Sequence, residues 1–369
     1  MIPVNSVHIN PGKSAEIIGH NEHMLCTMLL HLPIKSLFRF KLVSKQWRSL
    51  LSSSHFVSRY NLLHPPLLSG LFLVPKCWNE VEHNQIEYIS LGQNQSNVPN
   101  YDFSTIKLLQ SCNGLLLYCD QEGKHSVLNP TTRKSKLLPS STTSSPYYSL
   151  VFDPTISPHY KIICVEETYH NKYKISMYLS NSSSWISISS NVPDFLAPRD
   201  IDFTSGIYCN GSIHWTKRTP RGLYFNVEKD TLSLMPECPR QEQYSCEYFG
   251  HSSGYLHCVF TMERLRYYEL FEMKKDYSAW DFKCRIEINM EFNYQNPQFM
   301  YKCHVLSVFR GQNREVLEII MSIPGEVIAY DCKKKTYRKM YESKLSAKDK
   351  KIWYGIYHVY ECFESLYPV

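Results

Sequence analysis

One supersecondary unit keeps returning along this chain: a tight turn, an apolar strand, a gap, and a second strand ending in a polar hairpin. It appears as SCNGLLLY (111–118) with VLNPTTRKSKLL (127–138), as YCNGSIHW (208–215) with LYFNVEKDTLSLM (223–235), and as IPGEVIAY (323–330) with DCKKKTYRKM (331–340). A second pattern pairs an aromatic strand with a Trp-led strand across a polar turn, in ISMYLSNSSSWISIS (175–189) and YYELFEMKKDYSAWDFKCRI (267–286), setting Trp185 and Trp280 in matching places. A few short strands cannot cover their own faces, so the copies must stack on one another. Grouped together they give blocks beginning near residues 68, 111, 147, 201, 243 and 303, roughly 45 residues apiece, the length of four strands and their turns. That spacing predicts a β-propeller of six blades, with seven the alternative.

The strand candidates are Leu71–Val74, Leu115–Tyr118, Ser149–Phe152, Lys161–Val165, Lys174–Leu179, Ile213–Trp215, Tyr255–Phe260, Arg266–Glu272, His304–Phe309, Glu315–Met321 and Glu326–Tyr330. Each is rich in Tyr, Phe, Ile or Val and bounded by Gly, Asn, Asp, Ser or Pro. Asn113-Gly114 and Asn210-Gly211 are read as tight turns, because Asn and Gly accept positive φ. A last strand, Tyr357–Phe363, is expected to pair with the first β segment, closing the ring and removing its free edges.

Before Pro65 the periodicity is different. Leu25, Met28, Leu29 and Leu32 fall at i, i+3, i+4 and i+7, and Pro33 predicts a helix end at Leu32. A second segment carries Ile34, Leu37, Phe38 and Phe40; a third carries Val43, Trp47, Leu50 and Leu51 before Ser52, Ser53 and Ser54 break it. Three such helices make a unit of roughly 40 residues, about the smallest that folds without disulfides, metal or a partner, so its Leu, Phe and Trp surface calls for a second chain.

The stretch LHLPIKSLFRFKLVSKQWRSLLSSSHF (30–56) resembles the F-box, whose plant members run Leu-Pro-x-Lys-Ser-Leu and then Lys-x-Val-x-Lys-x-Trp. The Leu-Pro pair that usually opens an F-box is absent, and IIGHNEHM (17–24) stands there instead. Further on, SCNGLLLY, VLNPTTR, HYKIICV, NGSIHW and HVYECFESL resemble, in that order, the domain that follows plant F-boxes. The resemblance implies an α+β chain in two parts: a disordered tail over 1–17, a small three-helix F-box over 18–62, and an all-β propeller-like domain over 66–369.

It also implies a role as the substrate receptor of a Skp-cullin-F-box ubiquitin ligase. The F-box would dock a Skp-family adaptor and, through it, the cullin and RING subunits; the β domain would hold a target protein. Leu29, Leu32, Pro33, Ile34, Leu37, Phe38, Val43 and Trp47 are the expected adaptor contacts, shared with the task of holding the helices together. For the target, Arg218, Arg221, Tyr244, Arg264 and Arg266 are loop or loop-edge residues of types enriched at interfaces. The competing reading is a propeller scaffold for protein or RNA with the helices as a cap. Leu29, Leu37 and Trp47 discriminate: covered by the β part, they favour the scaffold; open to solvent, the receptor.

Other chemistries find little support. Lys and Arg number 40 against 34 Asp and Glu, an excess too small to specify a partner. Thirteen cysteines without C-x-x-C spacing read as buried hydrophobes in a reducing compartment rather than disulfides or a zinc module. Neither an 18-residue apolar run nor a secretory start is present, so a cytoplasmic or nuclear location without membrane attachment is expected. Gly250-His-Ser-Ser-Gly254 spells the G-x-S-x-G elbow, but the strand-like YLHCVF after it predicts a hairpin, not the required helix. Glu166 and Glu167 are neighbours on a strand and point to opposite faces. The basic run from Lys333 to Lys351 is read as solvated, making nucleic acid an unfavoured partner. No catalytic residue, metal or cofactor is expected.

Overall fold

The structure, a computed structural model, describes residues 21–64, 68–75, 86–91, 103–139, 146–168, 172–188, 201–216, 222–238, 244–262, 265–287, 303–310, 317–323, 326–342 and 357–369. The expected tail over 1–17 and the lysines at 344–351 lie outside these residues.

Among the described residues the helices come first, and they are four rather than three: α1 (Glu22–Leu30), α2 (Ile34–Phe40), α3 (Lys45–Ser52) and α4 (Ser54–Leu63). Capping explains their starts. Asn21 Oδ1 accepts from the Met24 amide at 3.1 Å, Ser44 Oγ from Trp47 at 3.1 Å and Ser53 Oγ from Phe56 at 3.2 Å, each satisfying an otherwise orphaned N–H. The serine run does end α3, but Ser53 then caps a fourth helix, since a residue that breaks one helix is well suited to begin another. α1 stops at Leu30, not Leu32, because the residue before a proline avoids helical backbone.

Beyond the helices every described strand pairs antiparallel, in six sheets. Blade 1 holds β1 (Leu68–Pro75), β2 (Glu87–Ser90) and the C-terminal β23 (Tyr357–Phe363). Blade 2 runs β3 (Ile106–Cys112), β4 (Leu115–Asp120), β5 (His125–Asn129) and β6 (Lys134–Leu137); blade 3 runs β7 (Tyr147–Val151), β8 (Lys161–Thr168), β9 (Lys172–Leu179) and β10 (Ser184–Ile188). Blade 4 comprises β11 (Ile207–Cys209), β12 (Ser212–Trp215), β13 (Leu223–Asn226) and β14 (Thr231–Leu234). Blade 5 comprises β15 (Ser245–Ser252), β16 (Tyr255–Met262), β17 (Leu265–Met273) and β18 (Trp280–Glu287), and blade 6 comprises β19 (His304–Arg310), β20 (Leu317–Ile323), β21 (Glu326–Asp331) and β22 (Thr336–Glu342).

The innermost strands β23, β3, β7, β11, β15 and β19 touch in succession and return to β23, so the ring is closed. Closure is made by the expected strand: β23 pairs with β1 from Leu68↔Phe363 to Pro75↔Tyr357, with one bulge.

Polar side chains tie the blades together. Trp185 and Trp280 do occupy matching places: each donates its indole N–H to a proline carbonyl at the end of the preceding blade, Pro139 at 3.2 Å and Pro236 at 3.0 Å. Gln110, buried in blade 2, donates to Gly206 O and accepts from the Leu150 amide, both at 2.5 Å, reaching two further blades. The Asn-Gly pairs form the expected turns, with φ of 45° and 95° at Asn113-Gly114 and 49° and 73° at Asn210-Gly211. Their amides also reach the next blade, Asn113 to Phe152 O at 2.7 Å and Asn210 to Gly254 O at 2.8 Å. Gly250–Gly254 forms the β15–β16 hairpin, and Ser252 Oγ accepts from the Arg310 amide at 2.9 Å.

Candidate functional site

The helical unit divides its apolar side chains sharply. Leu25, Cys26, Leu29 and Leu30 of α1, Ile34 and Leu37 of α2, Leu50 and Leu51 of α3, and Phe56, Val57 and Tyr60 of α4 form its interior. The buried face of α1 is thus Leu25, Cys26, Leu29 and Leu30, turned away from the stripe read in the sequence, and Met24 (46% exposed) and Met28 (54%) look outward. Of the expected adaptor contacts, Leu29 (2% exposed), Ile34 and Leu37 (0%) hold the unit together. Pro33 and Val43 are exposed, Val43 at 61%, beside Leu42 at 86%, while Leu32, Phe38 and Trp47 are half-buried. Trp47 packs on Phe40 with ring centroids 5.3 Å apart, and the Lys41 ammonium lies 5.5 Å from the Phe38 ring. Burial, with Lys134 and Arg48 nearby, lowers the Lys41 pKa.

A C-terminal strap joins the two parts. After β23 the chain runs as Glu364–Val369 with Ser365, Leu366 and Tyr367 buried. Asn129, fully buried at the end of β5, donates from Nδ2 to Ser365 O and Oγ, each at 3.2 Å, and to Tyr367 O at 2.8 Å. Ser365 N donates to Thr131 Oγ1 at 3.2 Å, and the Tyr367 hydroxyl donates to Pro154 O at 3.1 Å. A side chain at position 114 would press on Ser365 Oγ at 2.9 Å and Phe363 O at 3.0 Å, so Gly114 is needed for close approach as well as for its φ of 95°. From the other side the buried Asn61 and Tyr60 of α4 close over the strap's end of the fold, and Lys35 lies near Glu364, easing the rise in its carboxyl pKa that burial causes. One apolar cluster runs from the helices through the strap, with Leu366 and Tyr367, into blades 2 to 4. Asn129→Ala is expected to leave these acceptors unmet at a cost of about 1–3 kcal/mol. Thermal unfolding should show a Tm lower by a few degrees; an unchanged Tm would mean the strap is held by its apolar residues alone.

Strand order fixes what lies on each face. In a blade of antiparallel strands the first and third hairpin turns share one end. The strap and Lys134, which neighbour the helices, are at that end, so the helical unit sits on it. The links from second to third strand and from blade to blade leave from the other. Tyr244, just before β15, and Arg266, at the start of β17, are on this far side; Arg218, Arg221 and Arg264 lie outside the described residues, in links whose flanking strand ends point the same way. The Tyr244 hydroxyl is 3.0 Å from that of Tyr267, whose ring lies 4.3 Å under the Arg285 guanidinium. Arg285 also donates to the fully buried Glu269, from Nη2 at 2.8 Å and Nε at 3.1 Å, which raises its pKa.

A helical unit and a six-bladed ring in this order match two family descriptions: the F-box domain over residues 23–59 and the F-box associated beta propeller domain over residues 73–290. The chain belongs to the F-box-associated β-propeller family. An F-box protein of Arabidopsis thaliana is 26% identical over 92% of this chain and 89% of its own length. F-box only protein 8 of the same plant is 25% identical over 60% of this chain and 83% of its own. Among solved structures, TolB from Acinetobacter baumannii covers 86% of this chain and 73% of its own at 9% identity and a TM-score of 0.48, too distant to argue from.

For this F-box-associated propeller the sequence reading missed Tyr267 and Arg285 as neighbours of Tyr244. The signal was there: once the β17–β18 hairpin is drawn, Glu269 stands opposite Arg285. It also missed two buried histidines at equivalent places, His214 opposite Ile207 in blade 4 and His257 opposite Gly250 in blade 5. Burial lowers the pKa of His214 to about 4 and, with Arg310 nearby, that of His257 to about 3.

As pH falls below about 6.5 the unfolded chain takes up these protons and the folded chain does not. Stability is therefore whole above that pH and declines toward pH 4, by roughly 2 kcal/mol per histidine at pH 5. Glu361 and Glu364, whose pKa values burial raises, act in the opposite sense. Melting temperatures between pH 7.5 and 5 should fall, and should fall less steeply in a His214→Asn, His257→Asn variant; equal slopes would refute the assignment.

Proposed function

We propose that this chain is a substrate receptor of a Skp-cullin-F-box ubiquitin ligase. The observation that carries the reading is the bare apolar surface of Met24, Met28, Pro33, Leu42 and Val43 on a helical unit whose interior is already complete. A finished unit has no folding reason to expose these side chains, and a protein surface of this composition is a docking surface. The adaptor contact is the exposed set together with the half-buried Leu32, Phe38 and Trp47. Leu29 and Leu37 are buried in the apolar cluster that the helices share with the strap and blades 2 to 4, and Trp47 is half-buried, so these three do not supply the open surface expected of a receptor and the reading rests on Leu42 and Val43 instead.

The target is held on the far side of the ring, where Tyr244, Tyr267 and Arg285 present amphipathic contacts on a stiff support. The chain does no chemistry itself. By fixing a target on the same assembly as the cullin and RING subunits, it turns ubiquitin transfer into a reaction within one complex. The strap and the blade-to-blade hydrogen bonds make that spacing rigid.

Co-expression of the full chain with a plant Skp-family adaptor should give a one-to-one complex on size exclusion, through an interface of roughly 1,200–2,000 Å². An intact, folded chain that fails to bind would remove the receptor reading and leave the scaffold.

A further inference from the structure

Cys246 on β15 and Cys258 on β16 hold their sulfurs 3.2 Å apart. The strand register brings them together. Cys246 stands opposite Phe260, and Cys258 is two residues from Phe260, so strand alternation sets both thiols on one face of blade 5, in the cluster with Met235 and Phe271. A disulfide needs its sulfurs about 2.05 Å apart, so roughly 1 Å of closure separates this contact from a bond. The two thiols differ in access. Cys258 is buried among Phe260 and Phe271, and burial pushes its pKa well above the ordinary thiol range. Cys246 is half-buried, within reach of solvent. Its own S–H donates to Tyr248 O at 3.4 Å, which leaves Cys258 as the donor in the contact between the thiols. A dissolved oxidant therefore meets Cys246 first, with a second thiol already touching it to resolve the product.

We propose that Cys246 and Cys258 are an oxidisable pair that hydrogen peroxide closes into a disulfide between the two inner strands of blade 5. The Cys246 sulfur attacks one oxygen of the peroxide, the O–O bond breaks, and the departing oxygen takes the Cys246 proton and leaves as water. This makes Cys246 a sulfenic acid. The Cys258 sulfur then attacks the Cys246 sulfur; the S–S bond forms, the S–O bond breaks, and the oxygen leaves with the Cys258 proton as a second water. Two thiols and one peroxide become one disulfide and two waters, and a dithiol reverses the step. The bond lies beside the face assigned to the target. Tyr244, two residues before Cys246, packs on the same apolar cluster, and Glu247, at the bulge after Cys246, has its carboxylate 2.7 Å from His304 Nδ1 of blade 6. Drawing Cys246 toward β16 moves both neighbours, so the oxidised chain should present Tyr244 differently; that consequence rests on the receptor reading, whereas the bond itself does not.

The test uses the reduced full-length protein, treated with hydrogen peroxide, denatured in N-ethylmaleimide and digested without reductant for peptide mapping by mass spectrometry. The expected product is a peptide linked through Cys246 and Cys258 that dithiothreitol removes. Cys258→Ser should give no such link and should accumulate a dimedone adduct at Cys246, whereas Cys246→Ser should leave Cys258 unmodified. The proposal is overturned if both cysteines are recovered blocked by maleimide under peroxide that oxidises free glutathione in the same tube, or if Cys246 is found linked to Cys238 rather than to Cys258. The mapping needs no variant, so a folding defect in either serine variant does not protect it, and it reads the bond without any adaptor or target present.

Discussion

A chain ending at Lys351 is expected not to fold into a stable propeller. Its missing residues include β23, the innermost strand of blade 1 and, among the described residues, the strand that joins the two ends of the ring. Glu361 shows how much converges there: its amide donates to Ser111 Oγ of blade 2 at 2.8 Å, its carboxylate accepts from Ser307 Oγ of blade 6 at 3.3 Å, and His251 of blade 5 lies 4.0 Å away. Tyr360 donates to Leu108 O at 2.7 Å. Cys362, Leu366 and Tyr367 are all buried. Burial of a large apolar side chain contributes about 1.5–3 kcal/mol and each internal hydrogen bond about 1 kcal/mol. Their sum rivals the roughly 5–15 kcal/mol by which a whole domain is stable. The opened ring would also expose the edge of β1 to other chains. Circular dichroism melts should show no cooperative transition, or aggregation; a truncated chain that melts like the full one would show that the ring stands without its last strand.

Charge substitution on the helical unit should separate docking from folding. Val43→Asp and Leu42→Asp change side chains already in water, so Tm should move by no more than about a degree, surface substitutions being near-neutral. If these residues are central to the adaptor contact, binding should weaken by about 2 kcal/mol or more, roughly thirtyfold, in calorimetry or interferometry. Leu37→Asp should instead unfold the helical unit, because a carboxylate would enter a fully buried site without a partner. Trp47→Ala lies between, losing both its packing on Phe40 and part of the contact surface. Unchanged affinity in both Val43→Asp and Leu42→Asp would move the adaptor interface off this loop.

The sequence by itself determined the ring. Tight-turn pairs, apolar strands and Trp-led hairpins are local signals that recur in several of the blocks, and recurrence lets weak signals reinforce one another. Even the closing strand was legible, since a ring without free edges requires one and Tyr357–Phe363 was the last run able to supply it. The outer strands were less distinct: β6 and β14 show little burial and so little alternation, and only their place in the repeat reveals them.

Tertiary structure alone decided what each residue of the helical unit does. Leu29 and Val43 carry the same apolar signal, yet one is buried and the other bare, because helices of seven to ten residues can rotate a stripe toward whichever neighbours the fold provides. The fourth helix, the strap over Asn129, the division of the ring into two faces and the Tyr244–Tyr267–Arg285 contacts depend on residues distant in sequence. Periodicity reports which side chains avoid water; only the folded chain says which neighbour keeps it from them.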